Sequence, residues 1–494
     1  MNDLYDLLII GGGINGAGIA RDAAGRGLKV ALVEQSDLGA ATSSASTKLI
    51  HGGLRYLESY EFRLVRESLM ERERLLNIAP HIVHPMEFVL PWVDGLRPRW
   101  LMKLGLFLYD HIGGRKRLPA SRSIHVAGSP YGEGLSAAIR HGFVYSDCQV
   151  DDSRLVILNV LDAAERQALI LPRTRFLQAA YEVDHWVANC EAVESRNAIN
   201  IHARVIVNAA GPWAGAVSQR FGTTAPLRLV KGSHIVIPRL YSGQHALLLQ
   251  NRDGRVVFCI PYQQHYTLVG TTDESFDGDP AQVTISSAET QYLCDAISRY
   301  FSQTVTPADV VWSYAGVRPL WDDAGRSNSK VTRDYRLELV NQPGPLLNIF
   351  GGKITTYRCL AESVLDKLRP ILDIRGSAWT ADACLPGGDI GPGDFTGFQK
   401  SLRVRWPFLT DDMAIRLAHT YGTRVELILH KARSMKELGV HFGEGLTESE
   451  LTYLQRYEWA SSVEDVLWRR TKLGLRQQNI DLNGLEKQLQ RQVA

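Results

Sequence analysis

The stretch LLIIGGGINGAGIARDAAGRGLKVALVE, Leu7 to Glu34, reads as strand, glycine turn, helix and second strand. Leu7–Ile10 is short and apolar. Gly11, Gly13 and Gly16 stand directly behind it in the spacing G-x-G-x-x-G. Gly27 follows the helical run where a C-terminal cap is expected. Lys29–Val33 is again apolar, and Glu34 closes it about 20 residues beyond the first glycine, where a ribose hydroxyl needs an acceptor. Each glycine has a physical reason: Gly11 for the tight turn, Gly13 for close approach to a pyrophosphate, Gly16 for contact between helix and strand. The helix N-terminus then offers free N–H groups to phosphate. This is a complete dinucleotide unit that suits FAD or NAD and does not separate them.

Outward from that unit, 494 residues suffice for two or three domains. A hydrophobic fraction of 45% and a charged fraction of 22% are those of a globular protein. A net charge of +2 argues against nucleic acid as a partner. The six cysteines are scattered without C-x-x-C or metal spacing, which predicts a reduced intracellular setting and no metal. No signal peptide or membrane-spanning run is expected.

Helical periodicity predicts a helix near Glu61–Ile78 with Phe62, Val65, Leu69 and Leu76 on its core side. A buried strand at Ala203–Val207 runs into the turn Asn208-Ala-Ala-Gly211. From Gly232 the texture changes to short strands, His234–Pro238, Ala246–Gln250, Val256–Ile260 and Tyr266–Gly270, with reversals at Asp253-Gly254 and Gln263-Gln264-His265. Leu346–Phe350 is a strand, and a helix follows from about Thr356 to Leu368. The expected class is α/β: a Rossmann-like dinucleotide domain from 1–80, 145–230 and 335–378, a β-rich substrate domain from 81–144 and 231–334, and a helical C-terminal domain from 385–494.

The loop AATSSASTKLIHGGLRY, Ala40–Tyr56, follows the dinucleotide unit closely. Its small hydroxyl residues let backbone pass near a flat ring system. His51 is suited to accept a proton near neutral pH. Arg55 and Tyr56 are suited to orient an anion. Thr271 follows a meander strand, Arg318 stands among apolar residues, and Arg333 follows in Arg333-Asp-Tyr; both arginines are candidates for phosphate or carboxylate.

Two long stretches carry a family resemblance. IGGGINGAGIARDAAGRG (Ile10–Gly27) and GGKITTYRCLA (Gly351–Ala361) resemble the signatures of the FAD-dependent, aerobic, quinone-linked glycerol-3-phosphate dehydrogenases. SSASTKLIHGGLRYLE, KGSHIVIP, GTTDE and SYAGVRPL lie between them in the family's order. The resemblance implies FAD, with Gly11, Gly13, Asn15, Gly16 and Glu34 on its ADP half. It implies Thr42, Ser43, Lys48, His51 and Gly52 along the ribityl chain and flavin. Gly352, Lys353 and Thr355 would close over the pyrimidine side, and Gly211 joins the cofactor set. Arg55, Tyr56, Thr271, Arg318, Arg333 and Lys353 are the implied substrate contacts. The implied reaction is oxidation of sn-glycerol 3-phosphate to dihydroxyacetone phosphate, by hydride transfer to FAD, with His51 as base, Arg318 polarising the oxygen or binding phosphate, and His234 as rival base.

The resemblance further implies electrons passed to membrane quinone. The segment Arg97–Arg117 fits a helix lying in the headgroup zone of an anionic membrane, because Arg97, Arg99, Lys103, Arg115, Lys116 and Arg117 accompany Trp100, Leu101, Leu104, Phe107, Leu108 and Ile112. The expected setting is the cytoplasmic face of the inner membrane, as a homodimer. The competing readings are a glycerophosphate, amine or hydroxy-acid oxidase that uses oxygen, and a flavin-binding membrane or regulatory protein without turnover.

Overall fold

The computed structural model describes residues 3–93, 97–114, 117–322, 334–391 and 394–491. Arg333, expected at the substrate, and Arg115 and Lys116 of the basic segment lie outside the described residues.

The opening stretch folds as β1 (Leu4–Ile10), α1 (Ile14–Gly25) and β2 (Val30–Val33). Leu7, Leu8 and Ile9 are fully buried. That follows from a central position in a parallel sheet with both faces covered. The strand order is Arg336–Val340, Leu346–Phe350, Ala198–Asn208, β1, β2, Leu169–Leu171. Along this order all neighbours from Leu346–Phe350 onward pair parallel and Arg336–Val340 joins antiparallel, while the hairpin Thr174–Glu182 and His185–Ala192 pairs antiparallel with Ala198–Asn208. Segments far apart in sequence therefore build one dinucleotide sheet. Helix α1 packs between Asp152–Glu165 and Tyr357–Leu368. At Gly16 a Cβ would lie 1.9 Å from the Gly11 carbonyl oxygen, so only glycine allows this approach of helix and strand.

The second sheet contains the expected meander. Leu227–Pro238, Tyr266–Gly270, Val256–Tyr262 and Ala246–Gln250 lie side by side, and Val83–Trp92, His141–Val150 and Leu49–Ile50 extend it. Trp312–Trp321 pairs along Leu227–Pro238. Gly254 and the two glutamines Gln263 and Gln264 take positive φ at the reversals. Two strands run across the expected domain limits: His141–Val150 lies in this sheet over its whole length, and Leu227–Pro238 starts before residue 231.

The predicted helix is Phe62–Ile78, with Val65, Leu69 and Leu76 buried. Phe62 departs from the expected stripe: it is exposed and packs edge-on against exposed Tyr60. Residues beyond 394 form helices around their own core, together with a small ribbon, His441–Gly443 against Leu446–Thr447, that the helical pattern did not announce. Among the described residues no helix is long and apolar enough to cross a membrane, and no group of three or more His, Cys, Asp or Glu could hold a metal ion.

Candidate active site

A cleft of about 350 Å³ opens at the end of β1, between the dinucleotide sheet and the strands Leu227–Pro238 and Trp312–Trp321. Ligands sit at such carboxyl ends in open α/β sheets. Gly11, Gly13, Asn15, Glu34, Thr42, Ser43, Gly211, Gly352, Lys353 and Thr355 all line it. Gly11 has φ +112°, and a Cβ there would lie 2.5 Å from the Ala209 oxygen. Gly13 is the N-cap of α1 and supplies no side chain of its own; Ser43 Oγ takes the Ile14 N–H, and the next N–H groups of the first turn are left to a ligand. Asn15 Nδ2 donates to the Gly351 carbonyl at 3.1 Å and so ties the two glycine-rich stretches together. Its Oδ1 is buried without a hydrogen-bond partner among the described residues. A cradle of glycines, a helix end with a glycine N-cap and an unsatisfied acceptor fit a dinucleotide.

Other hydroxyls of the loop are committed to its own shape. Ser43 Oγ accepts from the Ile14 N–H at 2.9 Å, and Thr42 Oγ1 donates to the Val317 carbonyl at 2.6 Å. Glu34 accepts from the N–H groups of Gly12 (2.7 Å) and Ser36 (2.8 Å), and burial raises its carboxyl above the usual range. Three expected cofactor residues do not line the cleft. Gly16 works inside the helix–strand contact. Gly52 donates its N–H to Tyr109 Oη at 2.7 Å and packs on Leu69. Lys48, expected along the flavin, turns away, with Nζ at 2.8 and 2.9 Å from the Asp152 carboxylate and 2.9 Å from the Ser44 carbonyl. A buried ammonium goes to the nearest carboxylate, and nothing in the loop's own sequence points to Asp152.

A second chamber of about 140 Å³ adjoins the first. His51, Tyr56, Thr271 and Arg318 line both, so the two spaces meet at these four residues. Arg55, Arg97 and Arg255 line the second chamber only. Arg97 is paired to Glu58, and Arg255 to Asp253 at 2.8 Å and Glu274 at 3.0 Å. Arg55 makes no ion pair with the described residues, which leaves its guanidinium available to an anion. Arg318 Nη2 donates to the Thr272 carbonyl at 3.2 Å and lies 3.6 Å from Asp273 Oδ1. Gly232 makes room for it, since a Cβ there would lie 2.4 Å from Nη2. Lys353 Nζ stands 3.8 Å over the Tyr56 ring.

His234 also lines the larger cleft, but it is buried. Its ring stacks on Tyr314 at 4.8 Å, and Nε2 lies 3.0 Å from Thr47 Oγ1. Burial, with Lys48 and Arg318 nearby, holds its basicity well below the ordinary histidine range. Thr47 and Glu289 were not singled out in the sequence. Glu289 accepts from Ser233 Oγ (2.8 Å) and Thr272 Oγ1 (2.7 Å) and pairs with Lys231 at 2.7 Å. Burial raises this carboxyl, but its hydrogen bonds, from Lys231 foremost, bring it down to about 2. Glu289 thereby fixes Thr272, whose carbonyl holds Arg318. The only sequence signal for it was the capping spacing Ser286 to Glu289.

Comparison with known proteins agrees with this architecture. Residues 6–356 match the family described as FAD dependent oxidoreductase, and residues 378–489 match the C-terminal domain of alpha-glycerophosphate oxidase. The chain is 51% identical over 478 residues to a glycerol-3-phosphate dehydrogenase of Pseudomonas aeruginosa, covering 96% of this chain and 92% of that protein. It is 49% identical over 471 residues to a D-erythritol 1-phosphate dehydrogenase of Brucella abortus, covering 94% of each. Among solved structures, a glycerol-3-phosphate dehydrogenase from Bacillus halodurans complexed with FAD superposes with a TM-score of 0.79 at 27% identity, covering 99% of this chain and 91% of that one.

Proposed function

The chain belongs to the FAD-dependent oxidoreductase family, and we propose that it oxidises sn-glycerol 3-phosphate to dihydroxyacetone phosphate and passes the electrons to a membrane quinone. The observation that carries this reading is the junction of the two chambers at His51, Tyr56, Thr271 and Arg318. One side of that junction is a dinucleotide cleft and the other is a small chamber lined by arginines. The names of the relatives from Pseudomonas aeruginosa and Bacillus halodurans support the same substrate.

FAD held in the larger cleft supplies the oxidant for the alcohol carbon. The chain's own residues supply orientation and proton transfer. Arg55 and Arg318 are placed for the dianionic phosphate, because a planar guanidinium can bind it through paired hydrogen bonds. Lys353 and Arg318 add positive charge where the alcohol oxygen gains negative charge. His51, at the junction, takes the hydroxyl proton. His234 is ill suited to that task, since stacking and burial oppose an imidazolium there. Fixing the phosphate holds the reacting carbon in place, and orientation of this kind lowers a barrier without new covalent chemistry.

The quinone reading extends to the membrane surface. Helix Arg99–Ile112 buries Met102, Leu106 and Tyr109, while Trp100, Leu101, Leu104 and Phe107 are exposed. An exposed apolar strip beside Arg99 and Lys103 supports peripheral attachment to anionic lipid. Arg97 contributes less than its charge suggested, because it is paired to Glu58.

The test is an anaerobic visible spectrum before and after sn-glycerol 3-phosphate. Bleaching of the flavin band by this substrate is the expected result, and D-erythritol 1-phosphate is tested beside it because a 49% identical relative carries that name. A flavin that stays oxidised with sn-glycerol 3-phosphate but bleaches with erythritol phosphate would transfer the assignment to the longer polyol. Subsequent reoxidation by a short-chain quinone, and not by oxygen at a comparable rate, separates a dehydrogenase from an oxidase.

A further inference from the structure

Two networks, which meet where Lys48 Nζ stands 5.1 Å over the Tyr314 ring, run from the C-terminal helical region to Ser46, Thr47 and Lys48, the part of the loop beside the cleft. The first is ionic. Lys472 is buried, with Nζ 3.3 Å from Asp151 Oδ1 and 3.8 Å from Asp152 Oδ1, and it donates to Ser153 Oγ. The same Asp152 carboxylate holds Lys48 and accepts from Ser46 Oγ at 2.8 Å. Two lysines thus balance two aspartates beneath the loop, one lysine from each end of the chain. The second network is aromatic. Trp468 stacks on Trp312 with centroids 4.2 Å apart, and Trp312 lies 5.0 Å from Tyr314. Tyr314 stacks on His234 and donates through Oη to the Ser46 carbonyl at 2.8 Å. His234 in turn meets Thr47.

We propose that Lys472 and Trp468 are positioning residues for the reaction: the C-terminal region holds the Ser46–Lys48 backbone and the His234 ring in the shape that the cofactor and substrate require. The inference rests on the flavin-dependent oxidation proposed above. If Lys472 loses its charge, the buried aspartates keep a single cation. Lys48 then recentres between them and draws on Ser44 and Ser46, to which it is hydrogen-bonded. If Trp468 loses its ring, Trp312 loses its stacked partner, the tilted Trp312–Tyr314 contact loosens, and His234 gains freedom. Supporting groups of this kind act through geometry, and a displacement of about 1 Å at a reacting centre reduces turnover substantially.

The experiment uses the full-length holoprotein with Lys472→Met, Trp468→Ala and Trp468→Phe. Tyr453→Phe is the control, because it removes a part-buried hydrogen bond with Arg424 of the C-terminal region and touches no residue of the loop. FAD affinity, the visible flavin spectrum, and kcat and KM for sn-glycerol 3-phosphate are measured beside Tm. The proposal expects Lys472→Met and Trp468→Ala to lower kcat by roughly 10- to 100-fold, with an altered flavin spectrum and weakened FAD binding. Trp468→Phe recovers most of this, and Tyr453→Phe lowers Tm alone. Variants that lose Tm like the control, but keep the wild-type spectrum, FAD affinity and kcat, overturn it. Should Trp468→Ala fail to fold, Lys472→Met and Trp468→Phe decide by the same criteria. FAD affinity and spectrum need no substrate, so failure of the substrate assignment would show separately, as wild-type protein that sn-glycerol 3-phosphate does not bleach.

Discussion

His51 and His234 share a side chain and line the same cleft, yet their surroundings give them different work. His51 stands where the two chambers meet. His234 is clamped between Tyr314 and the backbone of Gly270, where a Cβ would lie 2.0 Å from its Cδ2. His51→Asn is therefore expected to slow substrate-driven flavin bleaching, per bound FAD, by about 10²- to 10⁴-fold, the usual worth of a general base. Stopped-flow absorbance checks it, and a loss under tenfold would take the proton-accepting role from His51. Gly16→Ala offers a second residue-scale test. Its Cβ would meet the Gly11 oxygen, so strand and helix must part. Overpacking of this kind costs roughly 1–3 kcal/mol. The variant is expected to purify with a lowered Tm and a lowered ratio of flavin to protein absorbance.

At the scale of an element, helix Arg99–Ile112 has two apolar sides with different uses. Met102, Leu106 and Tyr109 join the core beneath the second sheet, and Tyr109 Oη donates to Asp147 at 2.7 Å. Trp100 (69% exposed) and Phe107 (56%) have no such role. Burying a large apolar side chain is worth about 1.5–3 kcal/mol. Trp100→Ser with Phe107→Ser is thus expected to reduce co-sedimentation with anionic vesicles by more than about tenfold, since each 1.4 kcal/mol is a factor of ten. Tm and soluble turnover should stay at their original values, because neither residue is in the core. Vesicle binding that survives both changes would detach this helix from the membrane reading.

The whole molecule is held together by buried charges between the dinucleotide domain and the C-terminal region. Arg154 pairs with Glu458, and both are fully buried. Asp37 accepts from Arg470 at 2.7 Å and from Arg469. Leaving one such partner alone costs about 3–5 kcal/mol, so Glu458→Ala is expected to lower Tm sharply, by calorimetry. The same interface contains His81, His84 and His419, with His84 Nε2 and His419 Nδ1 at 2.7 Å. Burial, aided by Arg154 and His419, holds His81 down to about 3 from its ordinary 6.5, and burial holds His419 down to about 4. The unfolded chain takes up these protons first. Their contribution is complete above about 6.5 and is lost as the pH falls towards the folded values, reaching about 2 kcal/mol for His81 near pH 5. Tm should therefore fall between about pH 7 and pH 5, and His81→Leu should flatten that fall. A pH profile unchanged by the substitution would exclude His81 as its source.

Much of this organisation was legible in the chain, because it depends on short-range pattern. The turn at Gly11, the cap at Gly27, the meander reversals at Gly254 and Gln263-Gln264, and the strand Leu346–Phe350 each follow from spacing and residue type over a few positions. The family followed from two long stretches, Ile10–Gly27 and Gly351–Ala361, each with glycines that line the cleft. What the sequence could not determine is which distant residues share a charge or a ring. Lys48 looked like a cofactor ligand until tertiary packing brought Asp152 and Lys472 beneath it. Phe62 kept helical period yet faces outward, because the neighbouring surface at that end is solvent. Thr47 and Trp468 carry no local signature for their contacts, and the capping spacing of Glu289 announces Ser286 but not Ser233, Thr272 or Lys231. Hydrogen bonds and ion pairs form wherever burial leaves a polar group unsatisfied, and only the packed chain decides which groups those are.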